Sequence, residues 1–198
     1  MSVVEFERVI SAGGLVLFPS DTVYGLACDP GNLAVIERLY ALKGRPPEKS
    51  AAVMFFDLEP ALRAVGPLGA RTERALRALL PGGVTLLLRN PDRRFALACR
   101  ADPATLGVRV VDVAALRGAR VAVLQSSANL SGERDAQTIE AVAPAVRAGV
   151  DLEIDGGELP GRSSTVIDLR AYEDDGTWSI VREGAVPRAR VTDALRIA

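Results

Sequence analysis

Two short runs composed wholly of apolar residues most constrain what this chain can fold into: LVLFP, residues 15–19, and AAVMFF, residues 51–56. Strands that are apolar on both sides are typical of a sheet buried on both faces. Between the two runs, residues 32–45 have apolar side chains spaced three and four apart, with Asn32 as an N-cap and Gly44 as a C-terminal stop. A strand, a helix and a second strand in this order predict an α/β domain.

The rest of the chain continues this alternation. We predict further helices over residues 3–12, 58–65, 70–80 and 136–147, and further strands at VTLLLR, LGVRVV and RVAVLQ. Three late strands, DLEID, STVIDL and WSIVR, lack intervening helices and therefore predict an antiparallel portion. The segment AYEDDGT, residues 171–177, is predicted to be a polar hairpin turn. We expect one α/β domain with a mostly parallel or mixed sheet.

Histidine is absent from the 198 residues, which excludes several classes of site. No Ser–His–Asp or Cys–His mechanism and no histidine-ligated metal site can operate. The two cysteines, Cys28 and Cys99, have no ligand spacing and are predicted to be free thiols. The acidic residues show no metal-cage spacing, so we predict no metal site built by the protein, although Mg²⁺ held mainly by substrate phosphates is compatible. An enzyme with this sequence would work by positioning and electrostatics, or would use carboxylate, lysine or substrate groups as proton carriers.

Charge and hydropathy limit the partners and the location. The formal net charge of −1 gives no strongly basic field that would attract nucleic acid. No apolar run approaches the ~20 residues that a membrane span needs. The N-terminal MSVVEFERVI has the pattern of an amphipathic helix containing acids, which is not typical of a signal or transit peptide. We therefore expect a cytoplasmic location and no membrane partner.

Four polar segments follow predicted strands or helices, and strand ends are where open α/β sheets bind ligands. They are PSDTVYG, KGRPP, QSSANLSG and DGGELPGRSSTV. Each also has a purely structural interpretation. In the first, Ser20 or Asp21 would cap a turn; the third would be a capped loop before a helix, and the glycines of the fourth would only shape a turn. Taken singly, none of the four decides between structure and function.

The segment KGRPP places Lys43 and Arg45 at the C-terminal end of a helix. Both cations would pair favourably with the helix dipole there. The alternative is an anion site, with the arginine as a fork for phosphate oxygens and the lysine as a point charge. Two further arginines, Arg109 and Arg182, lie inside predicted strands and would either face water or enter a polar site.

Together these segments resemble one family, in the right order and over nearly the whole chain. The blocks FPSDTVYGLACDP, LKGRPPEKSAAVMF, LPGGVTLLL, LGVRVV, SSANLSG, GRSSTVIDL and IVREGAV look like those of the YrdC/TsaC family of threonylcarbamoyl-AMP synthases. The combination of KxR, SxN and STV carries the resemblance. It implies the short, single-domain form, with residues 1–198 as one YrdC-like domain built on a twisted mixed sheet with flanking helices and a large concave cavity.

The resemblance also implies a reaction. Members of the family make threonylcarbamoyl-adenylate and pyrophosphate from L-threonine, bicarbonate or CO₂, and ATP, for the modification of tRNA. Expected partners are therefore these three substrates, together with tRNA and the proteins that transfer the threonylcarbamoyl group. Mg²⁺ would accompany the ATP phosphates, and no organic cofactor is expected.

Site residues follow from the resemblance position by position. Lys43 and Arg45 are the expected catalytic cations, whereas Asp21 and Tyr24 are expected to pack or orient. The residues expected at the nucleotide are Lys43, Arg45, Thr105, Ser127, Asn129, Asp135 and Arg182, and those expected at threonine are Thr22, Arg109 and Ser164.

Two other functions remain open at the level of sequence. One is a module that binds double-stranded RNA or tRNA without adenylate chemistry, against which the near-zero net charge and the lack of aromatic RNA motifs count. The other is a related carbamoyl-adenylate enzyme that uses carbamoyl phosphate; such domains usually lie within larger chains.

Overall fold

The computed structural model describes residues 3–197, and across these residues nine strands form one mixed sheet. The strands are β1 Val16–Pro19, β2 Tyr24–Cys28, β3 Ala52–Phe55, β4 Val84–Arg89, β5 Thr105–Val110, β6 Val123–Ser127, β7 Leu152–Glu153, β8 Thr165–Asp168 and β9 Ser179–Arg182. The helices are α1 Val3–Ser11, α2 Leu33–Lys43, α3 Leu58–Val65, α4 Ala70–Leu79, α5 Ala96–Cys99, α6 Pro144–Ala148, α7 Tyr172–Asp175 and α8 Arg188–Ile197, with a 3₁₀ turn at Ala114–Leu116.

The strands lie in the order β7-β1-β2-β6-β3-β5-β4-β8-β9. The pairs β1/β7, β3/β5 and β4/β8 are parallel, and the other five neighbouring pairs are antiparallel. The prediction of a mixed α/β sheet with flanking helices is confirmed. The predicted antiparallel portion among the late strands is confirmed for β8 and β9, whereas β7 pairs in parallel with β1 at the opposite edge.

Helix α2 ends as its sequence predicts, and this ending places the KxR pair. The Asn32 side chain accepts a hydrogen bond from the Val35 N–H at 3.3 Å. Gly44 adopts φ 59°, a left-handed conformation that suits a residue without a side chain. Lys43 is therefore the last helical residue, and Arg45 begins the loop that leads to β3.

Two predicted elements were wrong. The segment PSDTVYG was predicted to be a polar turn as far as Gly25, but only residues 20–23 form the turn, and Tyr24 and Gly25 begin the five buried residues of β2. Of the predicted helix at 136–147, only residues 144–147 lie in a helix, the short α6 Pro144–Ala148. Proline lacks an N–H and disfavours a helical conformation in the residue before it, and Ala143 indeed has ψ 134°.

Two further boundaries shift. Strand β6 begins and ends later than the predicted RVAVLQ, so Ser126 and Ser127 also belong to the strand. The segment AYEDDGT does connect two antiparallel strands, but it contains the short helix α7, which ends where Gly176 adopts φ 77°. Hydrogen bonding within this helical turn replaces the tight hairpin that the polar composition suggested.

The two faces of the sheet are covered differently. One face carries the large core, to which alternate residues such as Val53, Leu86 and Val108 belong. The other face carries a smaller core beneath α1, where Phe6 packs edge-on against Phe56 with ring centroids 5.4 Å apart. Within the described chain, no helix is long and apolar enough to cross a membrane.

Candidate active site

A cavity of about 460 Å³ opens on the face of the sheet that carries the smaller core. Side chains alternate between the two faces of a strand, so Thr105, Gly107 and Arg109 of β5 all line the cavity. Farther along the same side of the sheet, Val111 and Val123 pack in the small core beneath α1. The cavity therefore occupies the part of this face that the small core leaves open.

All ten residues that the sequence pointed to line this one cavity. Their roles in binding remain predictions, but their convergence from three strands, the end of α2 and four loops is a property of the fold. They are Thr22, Lys43, Arg45, Thr105, Arg109, Ser127, Asn129, Asp135, Ser164 and Arg182.

Lys43 is buried at one end of the cavity, with 3% of its surface exposed. Its ammonium donates to the backbone carbonyl of Asn129 at 2.6 Å and also to that of Ser127. Burial, and to a smaller extent the nearby Arg45, lowers the pKa of Lys43 from 10.5 to about 8. An ammonium with three protons and two carbonyl acceptors retains one donor for an anion in the cavity.

The SxN pair belongs to the same end. Ser127 Oγ donates to Oδ1 of Asn129, and Nδ2 of Asn129 donates to the carbonyl of Glu133 at 2.7 Å. These bonds fix the loop after β6 so that its carbonyls meet Lys43. The adjacent backbone N–H of Ser131 donates to the carbonyl of Lys43 at 2.9 Å, which ties the loop to the end of α2.

Arg45 lies beside Lys43 on the wall of the cavity. Its Nη2 donates to the carbonyl of Ser50 at 2.5 Å, and its guanidinium lies over the Tyr40 ring, 5.3 Å from the centroid. The Nε of Arg45 is buried without a hydrogen-bond partner within the described part of the chain. Lys43 and Arg45 thus place two cations at one end of the cavity, as an anion site requires.

The opposite end is formed around Arg109, which is also 3% exposed. Nη2 of Arg109 donates to Oδ1 of Asp21 at 2.6 Å and to Oγ1 of Thr22 at 3.3 Å. Burial lowers the pKa of Arg109, and the carboxylate of Asp21 acts in the opposite direction. The two open alternatives for Arg109 are thereby resolved: it enters a polar site and does not face water.

Thr22 lies in a turn that the preceding serine closes. Ser20 Oγ donates to the carbonyl of Val23 at 2.6 Å and accepts from the N–H groups of Thr22 and Val23, each at 3.2 Å. The predicted capping by Ser20 is therefore present, and it coexists with the second interpretation, a polar site at a strand end. The two interpretations are compatible, because the hydrogen bonds that Ser20 makes in the turn also hold Thr22 at the cavity wall.

Strands β4, β8 and β9 supply the remaining wall. Ser164 Oγ lies 2.8 Å from Oγ1 of Thr85, and Arg182 Nη2 donates to the Ser164 carbonyl at 2.8 Å. Asp135 accepts a hydrogen bond from Ser163 Oγ. Thr105 Oγ1 accepts a hydrogen bond from Arg170 at 3.2 Å. Thr105 and Arg170 also line a second groove, so Thr105 lies between the two cavities.

Sequence reasoning missed several polar residues of the cavity, among them Thr85 and Gln125, both buried. Gln125 Oε1 accepts from Nη1 of Arg109 at 3.4 Å. A signal was present, since each is a polar residue within an otherwise apolar strand sequence, VTLLLR and RVAVLQ. Tyr40 lies within the predicted helix at residues 32–45 and was given no site role, although its ring lies beneath the guanidinium of Arg45.

Comparison with known proteins now decides the family. The model of the Sua5, YciO and YrdC proteins, described as telomere recombination, matches residues 8–184. This chain belongs to that family. The YrdC/TsaC resemblance of the sequence blocks is confirmed.

Individual relatives agree with the family assignment. The chain is 34% identical over 168 residues to a threonylcarbamoyl-AMP synthase of Nitrosococcus oceani, covering 82% of this chain and 89% of that protein. The crystal structure of P. abyssi Sua5 complexed with L-threonine superposes with a TM-score of 0.85 at 25% identity. That match covers 97% of this chain but only 56% of the Sua5 chain. E. coli YciO superposes with a TM-score of 0.78 at 27% identity, covering 96% and 92% of the two chains.

Proposed function

We propose that this member of the Sua5/YciO/YrdC family is a threonylcarbamoyl-AMP synthase, which converts L-threonine, bicarbonate or CO₂, and ATP into threonylcarbamoyl-adenylate and pyrophosphate. One observation carries the proposal: a pair of cations, Lys43 and Arg45, and a buried arginine, Arg109, line the same cavity. A polyphosphate and an amino-acid carboxylate are the two anions that this reaction must bring together. The names of relatives such as the Nitrosococcus oceani synthase support this reaction over the alternative of an RNA-binding module.

The chemistry needs no protein nucleophile. The amine of threonine attacks bicarbonate, water leaves, and the nitrogen carries a carbamate; with CO₂ the same bond forms and a proton is released. A carbamate oxygen then attacks the α-phosphorus of ATP, and the bond to the pyrophosphate breaks. The protein therefore has to hold three reactants in line and neutralise charge on phosphate, which positioned cations and backbone donors can do. A chain without histidine is suited to such a mechanism.

Lys43 and Arg45 are the residues we assign to the triphosphate. The pKa of Lys43, about 8 in the free protein, means that a bound polyanion would draw it fully into the charged form. Ser127, Asn129, Thr105 and Arg182 would contact the rest of the nucleotide, since they line the same cavity.

Arg109, Thr22 and Ser164 are the residues we assign to threonine. Arg109 has a buried Nε without a partner within residues 3–197, and a carboxylate would supply one. The hydroxyls of Thr22 and Ser164 are held by neighbouring hydroxyls, Ser20 and Thr85, so their positions are set before a substrate arrives.

Mg²⁺ fits the cavity only as a companion of the substrate. No group of three or more acidic or cysteine ligands lies among the described residues, and the carboxylates that line the cavity are Glu133 and Asp135. Mg²⁺ commonly keeps several waters and binds one or two carboxylates plus phosphates, so these two residues would hold it. When bound it would neutralise phosphate charge.

The product would serve tRNA modification through a separate transfer protein, and a cytoplasmic location follows from that role as part of the proposal. The test is pyrophosphate release from ATP, measured with threonine and bicarbonate each omitted in turn. We expect release to require both; release that does not depend on threonine would contradict the proposal.

A lysine variant tests the site itself. Lys43→Ala should lower turnover strongly while leaving the protein folded, because burying an ammonium costs free energy that alanine does not. Arg117→Ala is the matched control, since Arg117 is an exposed cation paired with Asp112. Unchanged kinetics of Lys43→Ala would remove Lys43 from the site.

A further inference from the structure

A second arginine shares the ring that supports Arg45. The guanidinium carbon of Arg100 lies 4.6 Å from the centroid of Tyr40, and that of Arg45 lies 5.3 Å from the same centroid. Both Nε atoms are buried without hydrogen-bond partners within the described chain. Arg100 lies outside the cavity lining, and no motif in the sequence singled it out.

The backbone of Arg100 is strained. It adopts φ 50° and ψ −116°, a conformation that favours glycine. Such outliers persist only where the surroundings over-determine them, and they concentrate at functional sites. The strained backbone therefore marks Arg100 as a candidate for a role in the neighbouring site.

The surroundings of Arg100 are bonded to the loop that carries Arg45. The Ala51 N–H donates to the Ala98 carbonyl at 2.9 Å, and Ser50 Oγ donates to the Cys99 carbonyl at 2.6 Å. Ser50 is also the residue whose carbonyl accepts from Arg45. The hydroxyl of Tyr40 donates to the carbonyl of Lys49 at 2.6 Å. Ring, loop and the segment before Arg100 are thus one connected unit.

The electrostatics are those of an anion site. No carboxylate lies within ion-pair distance of Arg45 or Arg100 among residues 3–197. Two like charges on one ring repel each other, and an anion bound by Arg45 would relieve that repulsion. Of the two, only Arg45 reaches the cavity, so Arg100 can act on the ligand only through Arg45 and Tyr40.

We propose that Arg100 is a positioning residue for Arg45: through the ring of Tyr40 it fixes the Arg45 guanidinium toward the polyphosphate in the cavity. This inference rests on the proposed function for the identity of the ligand. Its consequence is specific, because it concerns the phosphate end and leaves the threonine end around Arg109 untouched.

The chain offers a matched pair of variants. Arg100→Gly removes the guanidinium and relieves the backbone strain in one substitution. Arg93→Gly relieves a positive φ of 51° at an exposed residue away from Tyr40. Arg100→Lys keeps a cation for the Tyr40 ring. For each, the dissociation constants of ATP and of inorganic pyrophosphate, the KM for threonine and the unfolding midpoint are measured.

We expect Arg100→Gly to weaken the binding of ATP and of pyrophosphate roughly tenfold, because the Arg45 guanidinium would no longer be held toward the phosphates. The KM of this variant for threonine should not change. Its unfolding midpoint should be no lower than that of Arg93→Gly, and Arg100→Lys should recover most of the affinity. Unchanged ATP binding in Arg100→Gly would overturn the inference. A lower unfolding midpoint together with an equal weakening of ATP and threonine binding would also overturn it. Wild-type protein that binds neither ATP nor pyrophosphate would also overturn it, whereas pyrophosphate release without threonine would overturn the proposed function alone.

Discussion

Arg109 and Asp21 form an ion pair of 2.6 Å in which only 4% of the arginine side chain and 17% of the aspartate side chain are exposed. A buried guanidinium cannot lose its charge, so its desolvation has to be offset by a partner. The ion pair holds the guanidinium of Arg109 in place. That Asp21 orients and does not react stays a prediction. The remaining oxygen of Asp21, Oδ2, has no partner among the described residues.

Asp21→Asn should destabilise the protein and weaken threonine binding. Removing one member of a buried pair leaves an uncompensated charge, at a cost of about 3 kcal/mol in the free energy of unfolding. Threonine should stabilise this variant less than it stabilises the wild type, because the guanidinium that would hold its carboxylate is no longer oriented by Asp21. Denaturant unfolding with and without threonine measures both effects.

The exposed pair Arg117–Asp112 provides the control for that experiment. Its side chains are 68% and 56% exposed, so Asp112→Asn should cost less than about 1 kcal/mol and leave the KM for threonine unchanged. Equal losses in the two variants would show that burial around Arg109 does not matter.

ATP binding should weaken as the pH rises through about 8. The pKa of Lys43 is depressed from 10.5 to about 8 by burial, so the free protein loses this charge above that pH, and with it one contact to phosphate. Well below pH 8 the contribution is fully present. Titration of ATP into the protein by calorimetry across this range should show the loss, with proton uptake on binding near pH 8.

Lys43→Met serves as the reference for the pH series. It lacks the titrating group, so its weaker ATP affinity should not change between pH 7 and pH 9, about one unit on either side of the lysine's own transition. A wild-type affinity that is equally flat would contradict the assignment of Lys43 to the phosphates.

The sequence was informative where local physics decides the structure. The run AAVMFF predicted β3 and the segment VTLLLR predicted β4 nearly to the residue. The caps Asn32 and Gly44 predicted both ends of α2. Residues 136–143 were misread because their apolar spacing suits a helix, whereas in the fold the Ala136 carbonyl accepts from the N–H of Tyr24 at 3.0 Å. That partner is more than a hundred residues away, so no local pattern could indicate it.

The same division holds for the site. The ten expected residues were identified by family resemblance, and none of their blocks was decisive by itself. What sequence could not give is which neighbour holds each one: the Asp21 partner of Arg109, the Thr85 partner of Ser164 and the Tyr40 ring under Arg45 are all contacts of tertiary structure. The face of the sheet on which the Arg109 side chain lies was likewise open. The strand register settles it, because it pairs Arg109 with Met54, a residue of the smaller core.

Gly184→Ala should disturb the wall that carries Ser164. A methyl group at Gly184 would lie 2.2 Å from the Ser163 carbonyl oxygen and 2.4 Å from the Ser164 carbonyl carbon, so the backbone there would have to move. Overpacking of this kind costs about 1–3 kcal/mol. Thermal unfolding should show the loss, and the KM for threonine should rise. Gly31→Ala, whose methyl would meet only the Asp29 side chain at 3.3 Å, should change neither quantity.

Tyr24→Phe should lower stability and spare catalysis. The Tyr24 hydroxyl accepts from the Gly156 N–H at 2.9 Å and lies 3.0 Å from two acceptors, Asp155 Oδ1 and the Gly157 carbonyl. The side chain itself is fully buried in the core, and burial raises the pKa of this phenol, so it stays protonated as a donor. Loss of the hydroxyl removes the hydrogen bond from the Gly156 N–H, at a net cost of about 1 kcal/mol in the free energy of unfolding. Chemical denaturation measures that cost, and steady-state kinetics should show kcat and both KM values within about twofold of wild type, a difference of ~0.4 kcal/mol. A large fall in kcat with unchanged stability would instead place the Tyr24 hydroxyl in the reaction.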